Sequence, residues 1–176
     1  MKDVCTCENS VKEIYIYEDT IKGAINHCMQ YGNLEAIGLL LGRRYRYSGR
    51  EYVLIVDQIE VKSRSSHTFV EFDREAFSHI GGVLESEIHQ KDFLVGWYHS
   101  HPNFGCWLSD IDIETQTTYF YEKYHSALVI DPVKRYLRFF KLAEGNKGYR
   151  NVDFCTLYGN KWQCKGCYDE IHEFRF

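Results

Sequence analysis

The stretch GWYHSHPNFGCWLSDIDIETQ, residues 96–116, places His99, His101, Ser109 and Asp112 in the spacing H-x-H-x7-S-x2-D. Two imidazoles and a carboxylate are the ligand set of a catalytic zinc, which keeps its fourth position for water. A serine between the ligands, with a glutamate supplied from elsewhere, completes the inventory of a metal-assisted hydrolase. The run from Leu94 to Pro102 is apolar and rich in β-formers and stops at a proline, which predicts a strand. Side chains alternate along a strand, so His99 and His101 share a face, with Trp97 and Val95 expected beneath them. Ser109-Asp110-Ile111-Asp112 reads as a helix N-terminus with Ser109 as cap. A carboxylate in that first turn can then meet the two imidazoles.

Each half of the pattern has an ordinary explanation. An isolated H-x-H on a strand is seldom a ligand pair, and S-x-x-D alone is more often a variant of the capping box. Both together within fourteen residues, flanked by glycine and tryptophan, are hard to attribute to chance.

The segment resembles the signature of the JAMM (MPN+) zinc isopeptidases. The likeness is to the branch containing the proteasome-lid deubiquitinase and the deneddylating subunit of the signalosome. The upstream signature of that family is also present, as Glu35-Ala36-Ile37-Gly38-Leu39-Leu40-Leu41-Gly42, and the resemblance runs over residues 10 to 142. It implies an α/β (α+β) chain with the MPN (JAMM) fold, a curved mixed β-sheet flanked by α-helices in a cytidine-deaminase-like layering. It assigns His99, His101 and Asp112 to a catalytic Zn2+, Glu35 to general base and acid, and Ser109 to oxyanion stabilisation. The implied activity is that of a deubiquitinase, cleaving the bond between the C-terminus of ubiquitin or a ubiquitin-like modifier and a lysine. Variants are a prokaryotic enzyme processing a ubiquitin-like protein, and a non-catalytic MPN scaffold subunit. The intact ligand set argues against the scaffold. Deaminase chemistry is disfavoured because no His-x-Glu occurs and Gln163, not proline, precedes the CxxC. Asn103 and Asp110 depart from the pattern, each standing where glycine is usual; neither is a ligand or catalytic position.

Composition sets the frame. A chain of 176 residues supports one domain with a real core. Its net charge of −4, with no basic run, speaks against nucleic acid as a partner, and no apolar run reaches the length of a membrane span. Fourteen tyrosines and eleven phenylalanines fit a β-rich domain with contact surfaces. The N-terminus shows no secretory h-region and the seven cysteines are odd in number, so an intracellular, cytoplasmic setting is expected.

Working along the chain, Glu13 to Tyr17 predicts a strand and Thr20 to Tyr31 a helix, with Ile21, Ala24, Ile25 and Cys28 on one face and Gly32 as its stop. Strands are expected at Ile37–Leu41 and Tyr52–Val61 around a Tyr47-Ser48-Gly49 turn. A helix capped by Asp73 should bury Phe77, Ile80, Leu84 and Ile88. The Ser109 helix should reach about Glu122, with strands at Ser126–Ile130 and Tyr136–Leu142 around Asp131-Pro132. The catalytic domain is read as residues 10–143, and 144–176 as an extension packed on it, favouring a self-sufficient enzyme or one trimmed to its catalytic domain. The polar segment from Lys62 to Phe72 suits strand addition to an extended modifier tail, with Phe69, Val70 and Glu71 as candidate substrate contacts. Cys5, Cys7, Cys164 and Cys167 offer the ligands of a second, structural zinc, or are free thiols. An activating MPN partner is a further expectation of the resemblance.

Overall fold

The computed structural model describes residues 11–61, 81–82, 85, 91–146, 148–158 and 161–165. Their elements are β1 (Ile14–Tyr17), α1 (Glu18–Gln30), β2 (Ile37–Tyr47), β3 (Arg50–Val61), β4 (Phe93–Ser100), α2 (Asp110–Tyr119), β5 (Ser126–Asp131), β6 (Tyr136–Leu142), β7 (Tyr149–Val152), β8 (Phe154–Tyr158) and β9 (Lys161–Lys165). The strands form one sheet in the order β7-β6-β5-β4-β2-β3-β1-β8-β9. β1 runs parallel to β3 and β8, and β4 parallel to β5; the other pairs are antiparallel.

The chain passes from β7, at one end of this order, to β8, near the other, through Asp153 alone. That step is short enough only if the sheet curls until its ends meet. Side chains from both ends accordingly pack together, Phe139 of β6 lying 5.0 Å from Phe154 of β8 between ring centroids. The seam is also charged. Glu13, just before β1, is held by Arg150 of β7 at 2.7 Å and by Lys141 of β6 at 3.2 Å.

Alternation along the strands divides the interior in two. One core joins Ile14, Ile16, Leu40, Ile55, Val95, Leu128 and Phe139 to the α1 face of Ile21, Ala24, Ile25 and Cys28. The opposite face of the central strands gathers Ile37, Leu39, Leu41, Trp97, Ala127, Val129 and Phe140 with Leu108 and Phe120, which flank α2. The candidate site sits on this second face.

Several expectations are adjusted. α1 begins at Glu18, with Glu18 and Asp19 facing its positive end, and Gly32 follows its last turn at φ +62°. β2 and β3 run further than expected because the arginine-rich segment after Gly42 stays extended by pairing up to a turn with positive φ at both Ser48 and Gly49. β4 ends at Ser100, and α2 ends at Tyr119. Val95 does not lie beneath the histidines: β4 shifts register against β2 so that Leu40 faces Gly96 and Leu41 faces Leu94. The bulge turns Val95 to the α1 side and gives its place to Leu94. β7, β8 and β9 were not anticipated as strands. They extend the sheet at both ends rather than forming a layer of their own. The segment carrying Phe69, Val70 and Glu71 lies outside the described residues, as do Cys5, Cys7 and Cys167. So does the Asp73 helix, apart from Gly81, Gly82 and Glu85, where the Glu85 amide bonds to the Gly81 carbonyl at 2.9 Å. Among the described residues no helix is long and apolar enough to cross a membrane.

Candidate metal centre

β4 delivers the histidines. His99 is its penultimate residue, and His101 follows it with its amide bonded to the Ile130 carbonyl of β5 at 2.9 Å. Both rings are buried and turned to the α2 side, their Nε2 atoms 3.2 Å apart. Trp97, two residues back on the same face, stacks on His99 at 4.5 Å and 12° between planes.

α2 delivers the carboxylate. Ser109 caps the helix, its Oγ accepting from the Asp112 amide at 3.2 Å, while Asp112 Oδ2 accepts from the Ser109 amide at 2.7 Å and from its hydroxyl at 2.6 Å. This is a capping box. It does not compete with ligation, because the same carboxylate reaches His99 Nε2 at 3.3 Å and His101 Nε2 at 3.5 Å. Among the described residues, His99, His101 and Asp112 are the one group of three positioned to hold a metal ion.

The donor set fits zinc. A tetrahedral site with bonds of about 2.0–2.1 Å has ligand-to-ligand edges of about 3.3–3.4 Å. Here the two Nε2 atoms are 3.2 Å apart, His99 Nε2 lies 3.3 Å from Asp112 Oδ1 and His101 Nε2 lies 3.5 Å from Oδ2, and one ligand atom from each of the three residues falls within 4.8 Å of the others. The local field fits as well. Burial alone would raise the Asp112 carboxyl; His99, His101 and the Ser109 hydroxyl outweigh it and hold the group well below the usual carboxylate range. Burial likewise would lower His101, but Asp112, with Glu35 behind it, raises it. The pocket therefore favours positive charge between these side chains.

Glu35 comes from the loop between α1 and β2. Its Oε1 lies 4.0 Å from His101 Nε2, and its side chain is 50% exposed. The next residue is fixed: the Ala36 amide donates to Ser100 Oγ at 2.9 Å, and the Ser100 amide donates to the Ala36 carbonyl at 3.0 Å. Ser100, between the two histidines, thus ties the segment bearing Glu35 to the strand bearing His99. The structure brings together all five residues singled out from the H-x-H-x7-S-x2-D pattern and the Glu35 segment.

Residues outside the motif support it, and of these Gln116, Ser100 and the loop contacts of Asp131 escaped the sequence reading. Gln116 is fully buried, accepts from Trp97 Nε1 at 2.7 Å and donates to the Phe120 carbonyl at 2.7 Å. Its place four residues after Asp112, hence on the same helix face, was the available signal. Cys106 points its thiol at the Val129 and Tyr136 carbonyls at 3.3 and 3.4 Å, and burial pushes it up to about 12, which disfavours the thiolate. Asp131, read as a turn residue, also receives amides from the loop after His101. Nothing in the sequence joins those positions. Asn103 in that loop adopts φ +67°, a conformation asparagine tolerates far better than other side chains, which explains how it replaces the usual glycine.

The profile of the family described as JAB1/Mov34/MPN/PAD-1 ubiquitin protease matches residues 9–125. The chain belongs to this JAMM/MPN family. Among its relatives is COP9 signalosome complex subunit 5 of Kluyveromyces lactis, 33% identical over 111 residues, covering 62% of this chain and 29% of the relative. The subunit 5 of Drosophila melanogaster is 32% identical over 126 residues, covering 70% and 37%. That of Caenorhabditis elegans is 35% identical over 128 residues, covering 70% and 33%. The match thus takes in little more than a third of these relatives at most. The solution structure of protein DSY2949 from Desulfitobacterium hafniense superposes with a TM-score of 0.61 at 17% identity, over 83% of this chain and 94% of that one, a likeness of fold.

Proposed function

We propose that this chain is a zinc-dependent isopeptidase that hydrolyses the bond between the C-terminus of ubiquitin or a ubiquitin-like modifier and a lysine side chain. The observation that carries this reading is the convergence of His99, His101 and Asp112 at zinc-ligand separations, with Glu35 at 4.0 Å from His101. Three protein ligands leave one position open, the mark of a catalytic rather than a structural site. Bound there, zinc supplies Lewis acidity toward a water and the scissile carbonyl. Glu35 takes the proton of the attacking water and hands it to the departing lysine amine, and its half-exposed place at the rim gives it access to both. Ser109 spends its hydroxyl proton on Asp112 in this structure; rotation of the hydroxyl turns that proton toward the oxygen that becomes negative. Phe69, Val70 and Glu71 remain candidates for gripping the modifier tail. The relatives are named as subunits of the COP9 signalosome, and by that likeness conjugates of a ubiquitin-like modifier are the substrate class, with a second MPN protein as a candidate activator.

The test pairs metal analysis with cleavage of isopeptide-linked ubiquitin and ubiquitin-like conjugates. The wild type should carry one zinc and cleave at least one conjugate. Glu35→Gln is nearly isosteric but cannot shuttle a proton, so it should keep the zinc and lose turnover. Near-normal hydrolysis by Glu35→Gln would overturn the role of that residue. A zinc-loaded wild type inert toward every conjugate would favour a scaffold.

A further inference from the structure

The seven residues between His101 and Ser109 must fold back so that Asp112 faces the histidines. We infer that Asp131, on a different strand, is the positioning residue that sets the shape of this loop and with it the geometry of the metal ligands. This inference rests on the reading of His99, His101 and Asp112 as a zinc site.

Asp131 ends β5 with no exposed surface. Its carboxylate accepts four backbone amides. Two belong to its own turn, Val133 and Lys134 donating to Oδ1 at 3.0 and 2.9 Å. The other two come from the loop, Asn103 donating to Oδ1 at 3.0 Å and Gly105 to Oδ2 at 2.8 Å. Burial would raise this carboxyl, but the four amides outweigh it and keep it below its ordinary range, so it stays ionised. A turn-capping aspartate needs only the first pair. The second pair pulls the loop down onto the β5–β6 turn.

The loop is shaped to meet that carboxylate. Both residues that donate to it are in the left-handed region, Asn103 at φ +67° and Gly105 at φ +87°. A Cβ on Gly105 would come within 2.9 Å of the Tyr136 hydroxyl, so the loop backbone lies against the tip of that side chain. Cys106 anchors the next residue to β5 and β6 through its thiol. The His101 amide is held by Ile130, the neighbour of Asp131. The anchored span therefore begins at one ligand, and its far end leads through Leu108, packed in the core, to the cap of the helix carrying another. Phe104 and Trp107, 74% and 45% exposed, stand on this anchored frame, with the Trp107 ring 5.4 Å from that of His101.

Asp131→Asn singles out the bond to Gly105, the one carried by Oδ2 alone. An amide of the same size can keep its oxygen on the three Oδ1 donors, but its NH2 then faces the Gly105 amide, donor against donor. The tether to Gly105 is lost, while the bonds to Asn103 and to the turn survive. The measurements are zinc affinity by chelator competition and the absorption spectrum of the cobalt(II)-substituted protein, both on folded material. The variant should bind zinc about 10- to 100-fold more weakly, the range seen when groups supporting metal ligands are removed. Its cobalt spectrum should shift, reporting altered ligand geometry. A residue that served only the turn would leave both readouts unchanged, whatever the melting temperature, and that result overturns the inference. If Asp131→Asn does not fold, amide exchange in the zinc-free wild type decides instead. Gly105 and Asn103 should be protected, and exchange at the rate of open loop amides overturns the tether. Failure of the wild type itself to bind zinc would instead overturn the reading of the metal site.

Discussion

Ser109 carries two duties whose signatures differ. Its hydroxyl caps α2, and the same group is proposed to donate to the oxyanion. Ser109→Ala should cost about 1 kcal/mol of stability through the lost cap. It should also lower kcat by about a hundredfold or more, through loss of one oxyanion donor. The two are separated by measuring turnover of zinc-loaded variant at a temperature where it is fully folded. Wild-type turnover there would leave Ser109 as a cap alone. His101→Ala removes one of the three proposed ligands, and metal analysis should find the site emptied. A variant that retains full zinc would rule out His101 as a ligand. The motif residues were legible because ligand chemistry restricts residue type. Asp131 and Ser100 were not, because a buried carboxylate or hydroxyl is explained only by the amides that meet it.

At the scale of elements, the β2–β4 pair holds the site from behind. Gly38 faces Tyr98 across the ladder, and a Cβ there would lie 2.2 Å from the tyrosine ring. The absence of a side chain lets Tyr98 lie flat against β2, where its hydroxyl meets His27 Nδ1 at 2.8 Å and Gln58 Oε1 at 2.5 Å. Gly38→Ala should therefore displace Tyr98 and break this buried polar chain on the α1 side. Overpacking of this kind costs about 1–3 kcal/mol, to be read as a lowered midpoint in urea unfolding. An unchanged midpoint would mean that Tyr98 finds an equally good place. The hydrophobic periodicity of α1 and the buried runs of β2, β4 and β5 made these elements readable. The bulge that turns Val95 away from the histidines was not, since a register shift belongs to the pairing of two strands and neither strand contains it alone.

For the whole molecule, the closing of the sheet concentrates charge at the seam. Burial would raise the Glu13 carboxyl; the Arg150 hydrogen bond and the charges of Lys141 and Arg150 outweigh it and lower it. Lys141 is lowered too, because its burial exceeds what one shared carboxylate returns. The direction for Glu13 fixes the sign of the pH dependence. A depressed folded-state value contributes stability that is present above the ordinary carboxylate range and lost as pH falls through the folded value. Acid should thus loosen the β1–β6–β7 seam, and Glu13→Gln should flatten the acid limb of the stability profile. The same substitution should lower stability at neutral pH, since it leaves Lys141 buried without its partner. Unfolding midpoints across the acid range test both, and a Glu13→Gln profile parallel to that of wild type would refute the linkage.

The sequence by itself determined the candidate ligand set, the cap of α2, the apolar face of α1 and the central strands, because each depends on residue type at short, fixed spacing. It also carried the family, through two motifs some sixty residues apart in the chain. The tertiary structure alone decided how β7 and β8 close the sheet, where Asp131 and Ser100 spend their hydrogen-bonding capacity, and which face Val95 takes. These are matters of long-range pairing. A backbone amide from residue 105 and a carboxylate from residue 131 leave no pattern in the chain, and they become partners only when the curl of the sheet brings them within 2.8 Å.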